Sequence, residues 1–301
     1  RPDWRTDERR HYTLGLARLL SELLPDDVNG SISTVPGGFR DDVVTDADRQ
    51  RVAQQLITTA IELHRLHEHT GRQVSLAVEP EPHCQIETLT EAAAYFEQHL
   101  FAPNAVTRVA NETGLGSAAA LTLLQTHLGV CLDTCHAAVE FETIGSAVQT
   151  LRDAGVGVKK MQLSNALRVV NVNGEAIERL RAFADDVYLH QVVERGADGL
   201  VRFVDLPEAI ESMERNPRSD VEWRVHFHIP LYAHPEAPLA STAQAMLDAI
   251  TEQRRQPFTD HLEVETYTWD VLPPALRQGD VNASIVAELR FVQALLEADV
   301  A

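Results

Sequence analysis

Positive charge is scarce in this chain. Lys and Arg number 26 against 45 Asp and Glu, for a formal net charge of −19. Nucleic acid and anionic lipid both require a basic footprint, so neither is expected as the main partner. Lysine stands only at 159 and 160, which reads as a coding bias without functional content. Cysteine is equally sparse. Cys84, Cys131 and Cys135 supply no disulfide framework, and a reducing cytoplasm is the simplest home. C-x-x-x-C at 131–135 has no second pair, so a zinc site built on cysteine is the lesser expectation. No apolar run reaches membrane-spanning length, and no charged-then-apolar leader opens the chain. Glycine-rich phosphate turns are missing as well: GLGSAAA at 114–120 is the nearest match, and it follows a polar segment instead of a strand.

The 301 residues that are present suffice to bury a core without a disulfide or structural metal. Apolar spacing predicts helices over about 6–24, 46–69, 88–100, 111–128, 140–154, 173–183, 207–213, 241–253 and 282–296. Short β-prone runs fall at 31–35, 73–78, 130–133, 158–163, 223–229 and 262–265. Two more, 187–193 and 200–204, are joined by ERGADG and read as a hairpin insertion over 186–205. Leaving out the hairpin, six strands alternate with helices, which implies a mainly parallel sheet with helices outside it. No internal repeat or linker divides the chain, so residues 1–301 are expected to form a single domain.

The pivotal stretch is GVCLDTCHAAVEF, 129–141, where Asp133 closes a buried strand and His136 follows in the first turn beyond it. Parallel α/β folds place ligands just outside the carboxyl ends of their strands. The other strand ends carry similar chemistry: Glu79 and Glu81, Gln162 with Ser164 and Asn165, His226 and His228 on one face, and Glu263 and Glu265. Such groups are costly to bury unless paired or bound to a cation. One divalent ion held by Glu79, Asp133, Gln162 and Glu265, with His228 or His136 near it, satisfies them together. Oxygen-rich ligation suits Mn²⁺, Mg²⁺ or Fe²⁺, and added imidazole shifts the balance toward Zn²⁺ or Co²⁺. The plainer alternative is that Asp133 caps the following helix, Glu79 and Glu265 pair with arginines, and His226 fills the core. Glu263 is expected to face away from the tip. His64, His67 and His69 gather near a helix C-terminus, where histidine is favourable in any case.

The segments LAVEPEP, GVCLDTCHA, VKKMQLSNA and HLEVETYTW resemble the xylose-isomerase-like sugar isomerase and epimerase superfamily of TIM (β/α)₈ barrels. Within it, SISTVPGGF, YLHQVV followed by VDLPEA, and VHFHIP are similar to the metabolite-traffic E proteins of the bacterial Ebo cluster. The resemblance runs over nearly the whole chain. It implies one divalent metal at the carboxyl ends of the strands, with ligands falling on Glu79, Asp133, Gln162 and Glu265 and a companion histidine on His136. Gln162 stands where most members have histidine, and His228 is placed to bind substrate or to replace that imidazole. An eight-unit barrel needs two more βα units than are counted here. The opening RPDWRTDERR, without Met or strand, fits a chain lacking the first two.

The resulting expectation is isomerase or epimerase chemistry on a small polyhydroxy or carbonyl compound. The metal would hold a carbonyl and its adjacent hydroxyl, Glu79 and Glu265 would exchange a proton from opposite sides of the carbon between them, and His228 would assist. Metal-dependent hydrolysis is the second expectation. The rival from another class is a non-enzymatic metabolite-binding or scaffold protein in metabolite export. Partners would then be a small polar metabolite and proteins of the same gene cluster, with no nucleic acid and no membrane span. The sequence leaves the oligomeric state undetermined.

Overall fold

The computed structural model describes residues 2–277 and 279–298, which divide into two compact units. The first holds residues up to Leu132, Ser146–Met161 and Phe258–His261. The second holds Asp133–Gly145, Gln162–Pro257 and the stretch from Leu262 onward.

In the first unit, β1 (Gly30–Thr34), β2 (Val74–Val78) and β3 (Leu128–Asp133, assigned here as far as Leu132) lie side by side. β1 pairs with β2 in parallel from Gly30↔Val74 to Thr34↔Val78, and β2 pairs with β3 from Leu76↔Leu128 to Val78↔Val130. β4 (Val158–Leu163) follows β3 in the sheet, and the division between the units falls after Met161. Helices connect successive strands because each carries one apolar stripe to lay on the sheet. The helix Asp46–Thr70 shows how its sequence sets its limits. Thr45 and Asp48 form a reciprocal capping box at its start, and Gly71, at φ 71°, ends it in the left-handed conformation. Its buried face, Val52, Leu56, Ile57, Ala60, Ile61 and Leu63, repeats every three or four residues.

Gly129 is required by a close approach between strands. A Cβ there would stand 2.2 Å from the Gly157 carbonyl oxygen and 2.7 Å from Lys159 Cγ. Gly129→Ala is therefore expected to destabilise the chain by about 2 kcal/mol through overpacking, read as a lower urea midpoint. An unchanged midpoint would mean that the strands part there at no cost.

Among the described residues, the ladder of β1 is with β2 alone. Ser31 Oγ lies 2.7 Å from His261 Nδ1, a side-chain contact and not a strand pairing.

The second unit is organised differently from the alternating pattern. Its sheet has the order β7-β6-β8-β5-β9, with β5 Asn165–Val170, β6 Val192–Gly196, β7 Gly199–Phe203, β8 Glu222–Ile229 and β9 Leu239–Ser241. β6 and β7 are a hairpin, and β6 also pairs antiparallel with β8. β8 pairs antiparallel with β5. This corrects the expectation that 223–229 is a strand of the parallel sheet. The run is buried except at half-buried Arg224, much as a central parallel strand would be, and burial alone does not reveal direction. β5 was not anticipated at all, although Leu167 and Val169 face the core while Arg168 and Val170 alternate with them. Trp223, Val225, Phe227 and Ile229 pack with Leu180 and Leu206 into the core of this unit. The opposite face of β8 carries Arg224, His226 and His228. The last strand, β10 (Leu262–Val264), follows β4 in sheet order, and Glu265 N–H donates to the Leu163 carbonyl at 3.1 Å.

The chain is thus α/β with a parallel sheet, as a barrel of the expected class requires, joined in sequence to an antiparallel sheet that the class does not require. No helix among the described residues is long and apolar enough to cross a membrane.

Candidate metal centre

Asp133 does what the plainer reading expected, and more. Its Oδ1 caps the short helix Thr134–Val139 by accepting the His136 N–H at 2.9 Å, and accepts the Ser164 hydroxyl at 2.7 Å. Ser164 is fixed in turn, since its Oγ accepts the Cys135 N–H and its N–H donates to Thr134 Oγ1, both at 2.9 Å. The other oxygen, Asp133 Oδ2, is buried without a hydrogen bond among the described residues.

His228 is its counterpart. The ring is fully buried, Nδ1–H donates to the Glu265 carbonyl at 3.1 Å, and Nε2 has no hydrogen-bond partner among the described residues. A ring nitrogen tied to a carbonyl oxygen fixes the tautomer that presents the other as a lone pair, which is how metal-bound histidines are usually held. One ligand atom each from Asp133, His136 and His228 lie within 4.8 Å of one another, and carboxylate oxygens of Asp133 and Glu265 lie within the same distance. Gln162 Nε2 donates to Glu265 Oε2.

The protonation states suit a cation. Burial alone would raise Asp133, but the neighbouring His136 and His228, with the hydrogen bonds from His136 N–H and Ser164, outweigh it and hold the carboxyl below its ordinary value. Burial drives His228 down to about 4, against the pull of Asp133. A carboxylate and a neutral imidazole are the forms that bind metal. The unpartnered Asp133 Oδ2 and His228 Nε2 therefore fit a divalent ion.

Four of the sequence-predicted residues of this unit, Asp133, His136, His228 and Glu265, come together, and Gln162 joins them through Glu265. Glu79 belongs to the first unit, where it ends β2 with its N–H donating to the Thr34 carbonyl at 2.9 Å. Glu263 is exposed, as expected. Sequence reasoning missed the role of His226. It is buried and polar-bonded instead of merely filling the core: its Nε2 lies 3.0 Å from His136 Nε2 and its Nδ1 lies 2.7 Å from Gln191 Oε1. The alternation of His226 with His228 on one strand face was the available signal. Gln191 had none, and Ser164 was marked only as a strand-end residue.

No protein-family model matches the chain, and no curated protein matches it as a relative. Among solved structures, the 1.8 Å crystal structure of the IolI protein with a bound zinc atom aligns over 97% of this chain and 72% of that chain, with 13% identity and a TM-score of 0.46.

Proposed function

We propose that the second unit binds one divalent cation at Asp133, Glu265 and Gln162, with His228 and His136 beside them. On this reading the protein isomerises or epimerises a small polyhydroxy or carbonyl compound. The observation that carries it is the pair of buried atoms without hydrogen bonds among the described residues, Asp133 Oδ2 and His228 Nε2, on residues whose ligand atoms cluster within 4.8 Å. A carboxylate oxygen and an imidazole lone pair gathered in a buried site are costly unless a cation shares them.

When bound, such a cation polarises a carbonyl and its neighbouring hydroxyl, which acidifies the C–H between them. The protein's own residues do the rest. Glu265 is half-buried and is the carboxylate of this unit suited to taking and returning that proton, while the Gln162 amide holds its Oε2 in one orientation. The Glu265 carbonyl, through His228 Nδ1–H, fixes the imidazole against rotation. Imidazole beside the oxygens favours Zn²⁺, Co²⁺, Fe²⁺ or Mn²⁺ over Mg²⁺. A place in metabolite traffic rests on sequence resemblance alone.

The test is hydrogen exchange at carbon. Protein stripped of metal and reloaded with Mn²⁺ or Co²⁺ is incubated in D₂O with a panel of ketoses, aldoses and cyclic polyol ketones, and C–H loss is followed by NMR. Exchange next to the carbonyl is expected, falling by about a hundredfold or more in Glu265→Gln. A metal-loaded protein that exchanges none of them would remove the isomerase reading and leave binding without turnover.

A further inference from the structure

The strand face of β8 carries more metal-binding chemistry than one hard-oxygen site uses. Cys135, His226 and His228 are each buried, and one ligand atom from each lies within 4.8 Å of the others. In a tetrahedral shell with bonds of about 2.0–2.3 Å, such donors stand roughly 3.3–3.8 Å apart, so a small contraction of the three is enough. Both imidazoles are held in the same tautomer from behind. His228 Nδ1–H is tied to the Glu265 carbonyl and His226 Nδ1–H to Gln191 Oε1, so Nε2 is the lone-pair nitrogen in each ring. For His226 that lone pair lies 3.0 Å from His136 Nε2, which donates to it when no ion is bound. For His228 it has no hydrogen bond among the described residues. Burial lowers both histidines, which keeps them neutral near pH 7. Cys135 forms no disulfide.

We propose that Cys135, His226 and His228 form a second, softer seat for a divalent cation, alternative to the oxygen-rich seat because the two share His228. It rests on the reading of Asp133 and His228 given above only through that shared ring. Thiolate with two imidazoles selects thiophilic ions such as Zn²⁺ and Co²⁺, whereas Asp133 with Glu265, Gln162 and the shared His228 is the better seat for a harder ion such as Mn²⁺. The softness of the ion then decides which seat is filled. Filling the softer one releases the Cys135 thiol proton to solvent and breaks the hydrogen bond between His136 and His226.

Cobalt reports on this directly, because thiolate bound to Co²⁺ gives an intense near-ultraviolet charge-transfer band that oxygen and nitrogen ligands do not. The full chain, stripped by chelator, is titrated with Co²⁺ and separately with Mn²⁺, and the same is done for Cys135→Ser, Cys135→Ala and Cys131→Ser. The band is expected in the parent chain and in Cys131→Ser, and absent from both Cys135 variants. Co²⁺ affinity should fall about tenfold or more in those variants while Mn²⁺ affinity stays within about twofold. Circular dichroism of each variant separates loss of a ligand from loss of fold, and the two Cys135 substitutions guard against one of them misfolding. Co²⁺ bound without the band, or a band that survives both Cys135 substitutions, overturns the softer seat while leaving the oxygen-rich seat in place. Failure of the parent chain to bind either ion overturns both.

Discussion

Asp133→Asn is expected to weaken cation binding at the oxygen-rich seat strongly while leaving the protein folded. The substitution keeps the shape of the side chain, so its oxygen still accepts the His136 N–H and the Ser164 hydroxyl that position the short helix. What changes is the second atom. Oδ2 becomes an amide that carries no charge and gives no lone pair to an ion. The buried carboxylate was costly without a hydrogen-bond partner, and a neutral amide in its place lowers that cost. Metal-free stability should therefore hold or rise slightly, while affinity for Mn²⁺ falls at least about a hundredfold, or roughly 3 kcal/mol. Calorimetric titration of stripped protein measures the affinity, and thermal unfolding in chelator measures the stability. If Asp133 were only a helix cap, Asn would cap as well and ion binding would be unaltered. A parent-like affinity in this variant would remove the residue from the site.

That residue also shows how far a sequence can be read. Asp133 and Glu265 were legible because a carboxylate at the tip of a buried strand is unusual enough to require an explanation, and several at once require a common one. The helices were legible because apolar spacing and caps act locally. Thr45 with Asp48, and Gly71 beyond, mark one of them to within a residue or two. The direction of β8 was not legible. Trp223 to Ile229 alternates core residues with His226 and His228, and that pattern serves a parallel or an antiparallel neighbour equally. Direction is fixed by pairing with Asn165–Val170, a strand hidden behind a segment read as the end of its predecessor. The coupling of His226 to His136 was hidden for the same reason. The two lie 90 positions apart in the chain, and only the placement of one helix against one strand brings their rings together.

Another buried histidine, in the first unit, predicts how the fold responds to acid. His127 closes the helix Ser117–His127, is 1% exposed, and donates through Nδ1–H to the Val74 carbonyl of β2 at 2.8 Å. The rings of His64 and His67 meet it edge-on at 5.8 and 5.9 Å, and Lys159 adds positive charge nearby. Burial is the largest influence and, with these neighbours, lowers the imidazole from 6.5 to about 4, against the hydrogen bond to Val74. The folded state therefore takes up its proton later than the unfolded state as pH falls. Between pH 6.5 and 4 the unfolded chain binds more protons, so stability declines with falling pH across that window and levels off below it. A separation of this size corresponds to about 3 kcal/mol. His127→Asn keeps a donor for the Val74 carbonyl but cannot titrate. Its stability at pH 7 should be lower because the smaller side chain leaves space, so the informative quantity is the pH slope and not the level. Urea unfolding at pH 7 and pH 4 should show the parent losing about 3 kcal/mol more than the variant over that interval. His226 and His228, which titrate in both proteins, cancel in the comparison. Parallel pH profiles would mean that His127 is protonated as readily in the fold as outside it, and that the contact with Val74 does not depend on a neutral ring.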